Sequence, residues 1–115
     1  MKQTESIKSN KDFRKIYHTG KSYANKYLIM YVKKNESIGN RLGISVSKKV
    51  GNSVVRHRLT RLVRESYRLS EDYLLYGLDI VVVARVTAKG KNYSEIDSSL
   101  LHLMKLHKIL KASNI

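Results

Sequence analysis

Ser45-Val46-Ser47-Lys48-Lys49-Val50-Gly51-Asn52-Ser53-Val54-Val55-Arg56-His57-Arg58-Leu59-Thr60-Arg61-Leu62-Val63-Arg64-Glu65 is the stretch on which the fold turns. Its hydrophobic period changes from two to 3.6 within a few residues. Arg41 to Ser47 alternates: Leu42, Ile44 and Val46 take one face, Gly43, Ser45 and Ser47 the other, as in a strand. Asn52 and Ser53 are candidate caps for a helix running to about Leu69. Val55, Leu59, Leu62, Val63 and Ser66 share one face of that helix at about 100° per residue. His57, Arg61, Arg64 and Arg68 share the opposite face, with Arg58 at the edge. One side is built to pack and the other to meet solvent or an anion.

Working outward, Ser9 to Thr19 reads as a short helix with Ser9 as cap, Asp12 three residues on and Gly20 ending it in a left-handed conformation. Phe13, Ile16 and Tyr17 lie on one of its faces. His18 to Asn25 reads as a short strand or a turn. Tyr27 to Val32 reads as a strand, with Leu28, Met30 and Val32 facing one way and Tyr27, Ile29 and Tyr31 the other. Lys34 to Asn40 is a loop. The β-branched run Asp79 to Arg85 suits a strand buried on both faces, and Thr87 to Asn92 is a loop. Ser94 to about Ala112 reads as the last helix, with Ser94 as cap, Asp97 at the capping-box position and Ile96, Leu100, Leu103, Met104, Leu106 and Leu110 on its apolar face. The fold class is α+β: a single sheet packed with helices, in one domain spanning 1–115.

The chain has 115 residues, 23 Lys and Arg against 9 Asp and Glu, and a formal net charge of +14. That charge repels itself, and a polyanion relieves the repulsion. Nucleic acid is the first partner it implies and an anionic membrane surface the second. The charge is uneven. Residues 2–34 carry nine bases and two acids, 48–68 seven bases and one acid, and 69–83 three acids and no base. Without Cys there is no disulfide, thiol chemistry or Cys-rich zinc site. The longest aliphatic run, Ile80 to Ala84, is far short of the ~20 residues of a spanning helix. Met1 to Ser6 does not read as a signal peptide, so a cytoplasmic location is expected.

Two features bear on chemistry. Planar, permanently charged guanidiniums opposite a packed face suit phosphate oxygens, and Lys48 and Lys49 precede a helix N-terminus that favours anions. A solvated charged face is the plainer reading, but here seven bases stand against one acid with almost no i,i+4 compensation. The second feature is aromatic. Tyr27, Ile29 and Tyr31 on a strand, with Phe13 and Tyr17 on a helix, form either ordinary core or an open cleft for unpaired bases. Arg14, Lys15 and Lys26 lie among them. Catalytic constellations are weak: Glu65 and Asp79 have no carboxylate neighbour in sequence, and His107 lies in an apolar arc that suits a structural role better than metal binding.

The segment Ser45 to Arg58, followed by Arg61, Leu62 and Arg64-Glu65, closely resembles the signature of the bacterial ribonuclease P protein family. Asp12-Phe13-Arg14-Lys15-Ile16-Tyr17, Gly20 to Asn25 and Ile80 to Arg85 resemble it too, in the same order and over nearly the whole chain. His57 stands where the family usually has Asn, and Thr60 where it commonly has Lys. The resemblance implies an α-β-β-β-α-β-α sandwich, about four-stranded, with a left-handed β-α-β crossover. It implies a ribonucleoprotein that removes the 5′ leader from precursor tRNA, with catalysis by the RNA subunit and its Mg²⁺. No organic cofactor, no protein-held metal, no membrane and no obligate protein partner is expected, and assembly with the RNA is expected to be 1:1. The catalytic RNA would meet Lys48, Lys49, Asn52, Arg56, His57, Arg58, Arg61, Arg64 and Arg68. The leader would lie in a cleft of Phe13, Arg14, Tyr17, Ile29 and Tyr31. Two other readings remain at this point: a general RNA-binding or ribosome-assembly protein, and a self-sufficient nuclease using its histidines.

Overall fold

The computed structural model describes residues 3–112. Its elements run β1 (Thr4–Ser6), α1 (Asn10–Thr19), β2 (Lys21–Ala24), β3 (Leu28–Lys34), β4 (Asn40–Ser45), α2 (Ser53–Ser70), β5 (Leu78–Ala84) and α3 (Tyr93–Leu106). The sheet has five strands in the order β1-β4-β5-β3-β2. β1 with β4 and β4 with β5 are parallel, and β3 pairs antiparallel with β5 and β2. The parallel β4–β5 pair, joined through α2, is the crossover that the change of period announces.

The sheet divides two apolar clusters. Leu28, Met30, Leu42, Ile80 and Val82 pack with Leu59, Val63 and Tyr67 of α2 and Ile96, Leu100, Leu103 and Met104 of α3. On the other face, Val81 packs with Ile7 and Ile16, bordered by Phe13, Tyr17, Tyr31 and Val83. β5 is therefore buried on both faces, as its β-branched run implies.

Several expectations are corrected. The sheet has a fifth strand, because Thr4, Glu5 and Ser6 pair with Asn40, Arg41 and Leu42, and Thr4 Oγ1 lies 2.8 Å from Tyr67 Oη. Gly20 ends α1 in an extended conformation, φ −79°. Glycine is required there for space: a Cβ would stand 2.7 Å from the Ile16 carbonyl oxygen. Tyr27 lies outside β3 and packs against the larger cluster, not beside Ile29 and Tyr31. The cap of α3 is Asn92, not Ser94: its side chain accepts from Glu95 N at 2.8 Å, while Glu95 Oε1 accepts from Asn92 N at 3.2 Å. That helix ends at Leu106, not near Ala112. Lys108 turns with φ +57°, and the chain returns to donate from Leu75 N to Ile109 O and from Lys111 N to Tyr73 O. This return buries Ile109, while Leu106 of the expected apolar face stays exposed. His107 has the structural role expected of it. It caps α3, and its Nε2 lies 2.8 Å from the Met30 carbonyl, which can only accept.

Candidate nucleic-acid interface

α2 presents the first surface. Asn52 opens the helix by accepting from Val55 N at 3.0 Å, which leaves its amide nitrogen free to donate outward. Leu59, Val63, Ser66 and Tyr67 are buried. Lys48 and Lys49 are exposed on the turn before α2, and His57, Arg58, Arg61, Arg64 and Arg68 are exposed on the helix, as 3.6 periodicity requires. Arg56 departs from this set. It is half-buried on the flank, with Nε enclosed among protein atoms. Thr60 turns its hydroxyl back to the Arg56 carbonyl at 2.9 Å and so adds no outward donor. Arg68 grips Glu65 with Nε at 3.0 Å and Nη2 at 2.7 Å, and this pair holds the Glu65 carboxyl below its usual range. Arg58 Nη1 donates to the Lys91 carbonyl at 3.0 Å. Arg58, Arg61, Leu62, Glu65 and Tyr93 line a shallow concavity of about 510 Å³.

The second surface follows from strand register. Across the sheet, Ser22, Tyr31, Val81 and Gly43 form one row, and Ala24, Ile29, Val83 and Ser45 the next. α1 lies over the first row. Tyr17 meets Tyr31 edge-on at 4.9 Å between centroids, and Phe13 lies 6.2 Å from Tyr17. A Cβ on Gly43 would come within 2.7 Å of the Phe13 ring, so glycine lets that ring rest on the strand. The second row continues this face of the sheet beside α1, with Ile29, Val83 and Ser45 half-buried and Ala24 exposed. Phe13, Tyr17, Ile29 and Tyr31 are thus brought together, and Arg14 is exposed on α1 beside them. Half-burial of rings with polar edges suits contact with bases as well as core packing.

A third row, Lys33, Asp79 and Arg41, carries the clamp that seats α1. Arg41 donates to both oxygens of Asp79, at 2.9 and 2.7 Å, and to Asp12 Oδ2 of α1 at 3.2 Å. Burial alone would push the Asp79 carboxyl up. Hydrogen bonds from Arg41 and Asn35, with the charges of Arg41 and Lys33, outweigh it and hold the group below its ordinary value. Sequence reasoning missed this clamp and the sheet-face residues Gly43, Ser45 and Val83. Alternation gave their parity, but only the strand order places them beside Ile29 and Tyr31.

A family model described as Ribonuclease P matches residues 1–108. The chain belongs to the ribonuclease P protein family. Its members act with an RNA subunit in tRNA 5′ processing. The ribonuclease P protein component of Lachnoclostridium phytofermentans is 66% identical over 110 residues, covering 96% of this chain and 95% of that one. That of Alkaliphilus metalliredigens is 49% identical, covering 96% and 99%. The solved RNase P protein of Staphylococcus aureus has a TM-score of 0.86 at 41% identity and covers 92% of this chain and 97% of its own. That of Thermotoga maritima has a TM-score of 0.80 at 33% identity, covering 89% and 96%. The α+β fold expected from the resemblance is that of these proteins, with one more strand than expected. No helix among the described residues is long and apolar enough to cross a membrane.

Proposed function

We propose that, within ribonuclease P, this chain joins two RNAs through its two surfaces. The exposed face of α2 and its leading loop bind the catalytic RNA through Lys48, Lys49, Asn52, His57, Arg58, Arg61, Arg64 and Arg68, with Arg56 contributing from the flank. The cleft of Phe13, Tyr17, Ile29 and Tyr31, with Arg14 at its side, binds the single-stranded 5′ leader of precursor tRNA. The observation that carries this reading is the path of one segment. Ser45 lies on the sheet beside Val83, Lys48 and Lys49 follow it, and Asn52 caps the arginine helix. Structured RNA is met by guanidiniums on its backbone, and a single strand by aromatics in a groove.

In this proposal the chemistry belongs to the RNA subunit and its Mg²⁺. The carboxylates of the α1 clamp, Asp12 and Asp79, are committed to Arg41, and no cluster of metal-ligating side chains exists among the described residues. The protein positions the leader and neutralises phosphates where two polyanions meet, in a 1:1 cytoplasmic complex. A general RNA binder would share the charge but not the cleft.

The test is titration of precursor tRNA, with and without its leader, against the catalytic RNA in the presence and absence of the protein. Added protein should raise affinity for the leader-bearing form selectively. Equal gains for both forms would overturn the leader cleft. Tyr31→Ala should reduce that selectivity, by about 1–3 kcal/mol if one base stacks there. Arg61→Ala with Arg64→Ala should weaken binding to the catalytic RNA and flatten its salt dependence.

A further inference from the structure

We infer that the catalytic-RNA surface does not end with α2 but continues onto a second basic patch, formed by Lys26 and Lys91 around Tyr27, with Lys89 on the same connection as Lys91. The inference rests on the assignment of α2 to the catalytic RNA and extends it. Lys26 comes from the turn between β2 and β3, and Lys91 from the connection between β5 and α3. They are distant in sequence, yet their ammonium groups stand 5.6 and 5.5 Å from the centroid of the same Tyr27 ring. The fold holds them there. Arg85 N donates to the Tyr27 carbonyl at 2.9 Å, Arg85 Nη1 to the Asn25 carbonyl at 2.6 Å, and Thr87 Oγ1 to the Lys26 carbonyl. Lys89, exposed, lies two residues before Lys91 on the same connection.

Charge makes the arrangement informative. Among the described residues, no ion pair joins Lys26, Lys89 or Lys91 to a carboxylate. The acid facing the cluster is Glu95, whose two oxygens already accept from Asn92 N and the Tyr27 hydroxyl. The facing electron-rich ring attracts cations but does not neutralise them. The lysines outnumber that one carboxylate, so an external anion relieves the remaining like charge, and an ammonium is a point-charge ligand for phosphate. Beside the patch, a concavity of about 400 Å³ lined by Lys26, Tyr27, Glu95, Ser98 and His102 leaves room for a sugar-phosphate backbone.

The partner follows from continuity. Arg58, on the edge of the α2 face, donates to the Lys91 carbonyl at 3.0 Å, so the patch and the arginine face share a border. Tyr27 packs with the cluster beneath α2 and α3, whereas the aromatic cleft lies on the opposite face of the sheet. A sugar-phosphate backbone lying along α2 therefore reaches Lys91 and Lys26 without crossing the sheet.

The experiment measures the Kd of the catalytic RNA against KCl concentration for wild type, Lys26→Ala/Lys89→Ala/Lys91→Ala and Arg61→Ala/Arg64→Ala. Circular dichroism checks that each variant is folded. The triple variant should lower the slope of log K on log salt by about two to three units and weaken binding about tenfold or more near ~0.15 M salt. The corresponding triple Lys→Arg variant should restore both, and selectivity for the leader should not change. An unchanged slope for the triple variant, with a reduced slope for Arg61→Ala/Arg64→Ala, would overturn the extension and leave the α2 reading standing. Unchanged slopes in both would overturn the two together. A loss confined to leader-bearing precursor would place the patch on the substrate and overturn the inference as stated.

Discussion

Replacing Arg41 should destabilise the protein far more than replacing Asp12, although one guanidinium serves both carboxylates. Asp79 has 7% of its side chain exposed, Arg41 33% and Asp12 37%. Arg41→Ala leaves the Asp79 carboxylate buried with one remaining side-chain donor, Asn35 Nδ2 at 3.0 Å. Breaking a fully buried pair costs about 3–5 kcal/mol. Water reaching the exposed third of Arg41 lowers the expected cost to about 2–3 kcal/mol. Against a total stability of about 5–15 kcal/mol that is a large fraction, and it corresponds to a fall in Tm of about 10–20 °C. Asp12→Ala breaks only a water-exposed pair and should cost about 0.2–1 kcal/mol. Arg41→Met with Asp79→Leu removes both charges and should return to within about 1 kcal/mol of wild type, because no buried charge is left alone. Urea unfolding followed by circular dichroism, in phosphate buffer to screen the +14 charge, measures all four proteins. The acid limb gives a further readout. The folded Asp79 carboxyl sits below its unfolded value of about 3.9, so its contribution is present above that pH and lost as pH falls through the folded value. Asp79→Asn should make that limb shallower. If Arg41→Ala and Asp12→Ala were equally mild, or the double variant as unstable as Arg41→Ala, the clamp would not seat α1 as argued.

Gly43→Ala puts a methyl group 2.7 Å from the Phe13 ring and should displace it, costing about 1–3 kcal/mol in a thermal melt. Leader affinity should fall while catalytic-RNA affinity holds. Burial pushes the His107 imidazole below its ordinary value, and Lys21 adds to this, although the Met30 carbonyl partly opposes it. The unfolded chain therefore takes up that proton first. Stability should be full above about pH 6.5 and fall below it, and His107→Gln should flatten the change in Tm between about pH 7.5 and 5.5. Arg68 already chelates Glu65, so Arg68→Ala should reduce the salt slope of RNA binding less than Arg61→Ala. Asn92→Ala should cost about 1 kcal/mol by urea unfolding and Ser94→Ala almost nothing, because only Asn92 caps α3.

What could be read from the sequence depended on how local its cause was. α2 was legible because one helix separates Leu59 and Val63 from Arg61 and Arg64 by geometry alone. β5 was legible because Ile80 to Ala84 is apolar on both parities. β1 was not. Thr4, Glu5 and Ser6 have no alternation, and they form a strand only because the edge of β4 offers Asn40 to Leu42 as partners. Ser94 with Asp97 and Asn92 with Glu95 satisfy the same local pattern, so local sequence alone does not choose the cap of α3. The C-terminal helix was overextended because Leu103, Leu106 and Leu110 keep helical spacing. A distant pairing decides otherwise, with Leu110 bridged to Leu74. The same division holds at the site: the arginines and aromatics were visible in the sequence, but the sheet face beside the aromatics required the strand order.

The distribution of acids bears on the proposed function as much as that of bases. Asp12 and Asp79 are tied to Arg41, and Glu65 to Arg68. Asp97 accepts from Ser66 at 2.6 Å, and Glu95 is spent on the α3 cap and Tyr27. The carboxylates nearest the two surfaces thus already have partners within the chain, whereas Lys48, Lys49, Arg61 and Arg64 are exposed. An incoming phosphate meets cations whose neighbouring acids are already occupied, so little internal pairing has to be broken on binding. The cleft differs. Beside its rings the sheet face carries Ala24, Ile29, Val83 and Ser45, small or apolar side chains that set a shape without adding charge. Under the proposed function, one face would gain affinity mainly from counter-ion release and should be strongly salt-dependent, while the other would gain it from stacking and should be much less so. A protein that must stay on one RNA while another is exchanged is served by that asymmetry: the permanent partner is held by charge over a broad face, and the transient one is selected by fit in a groove.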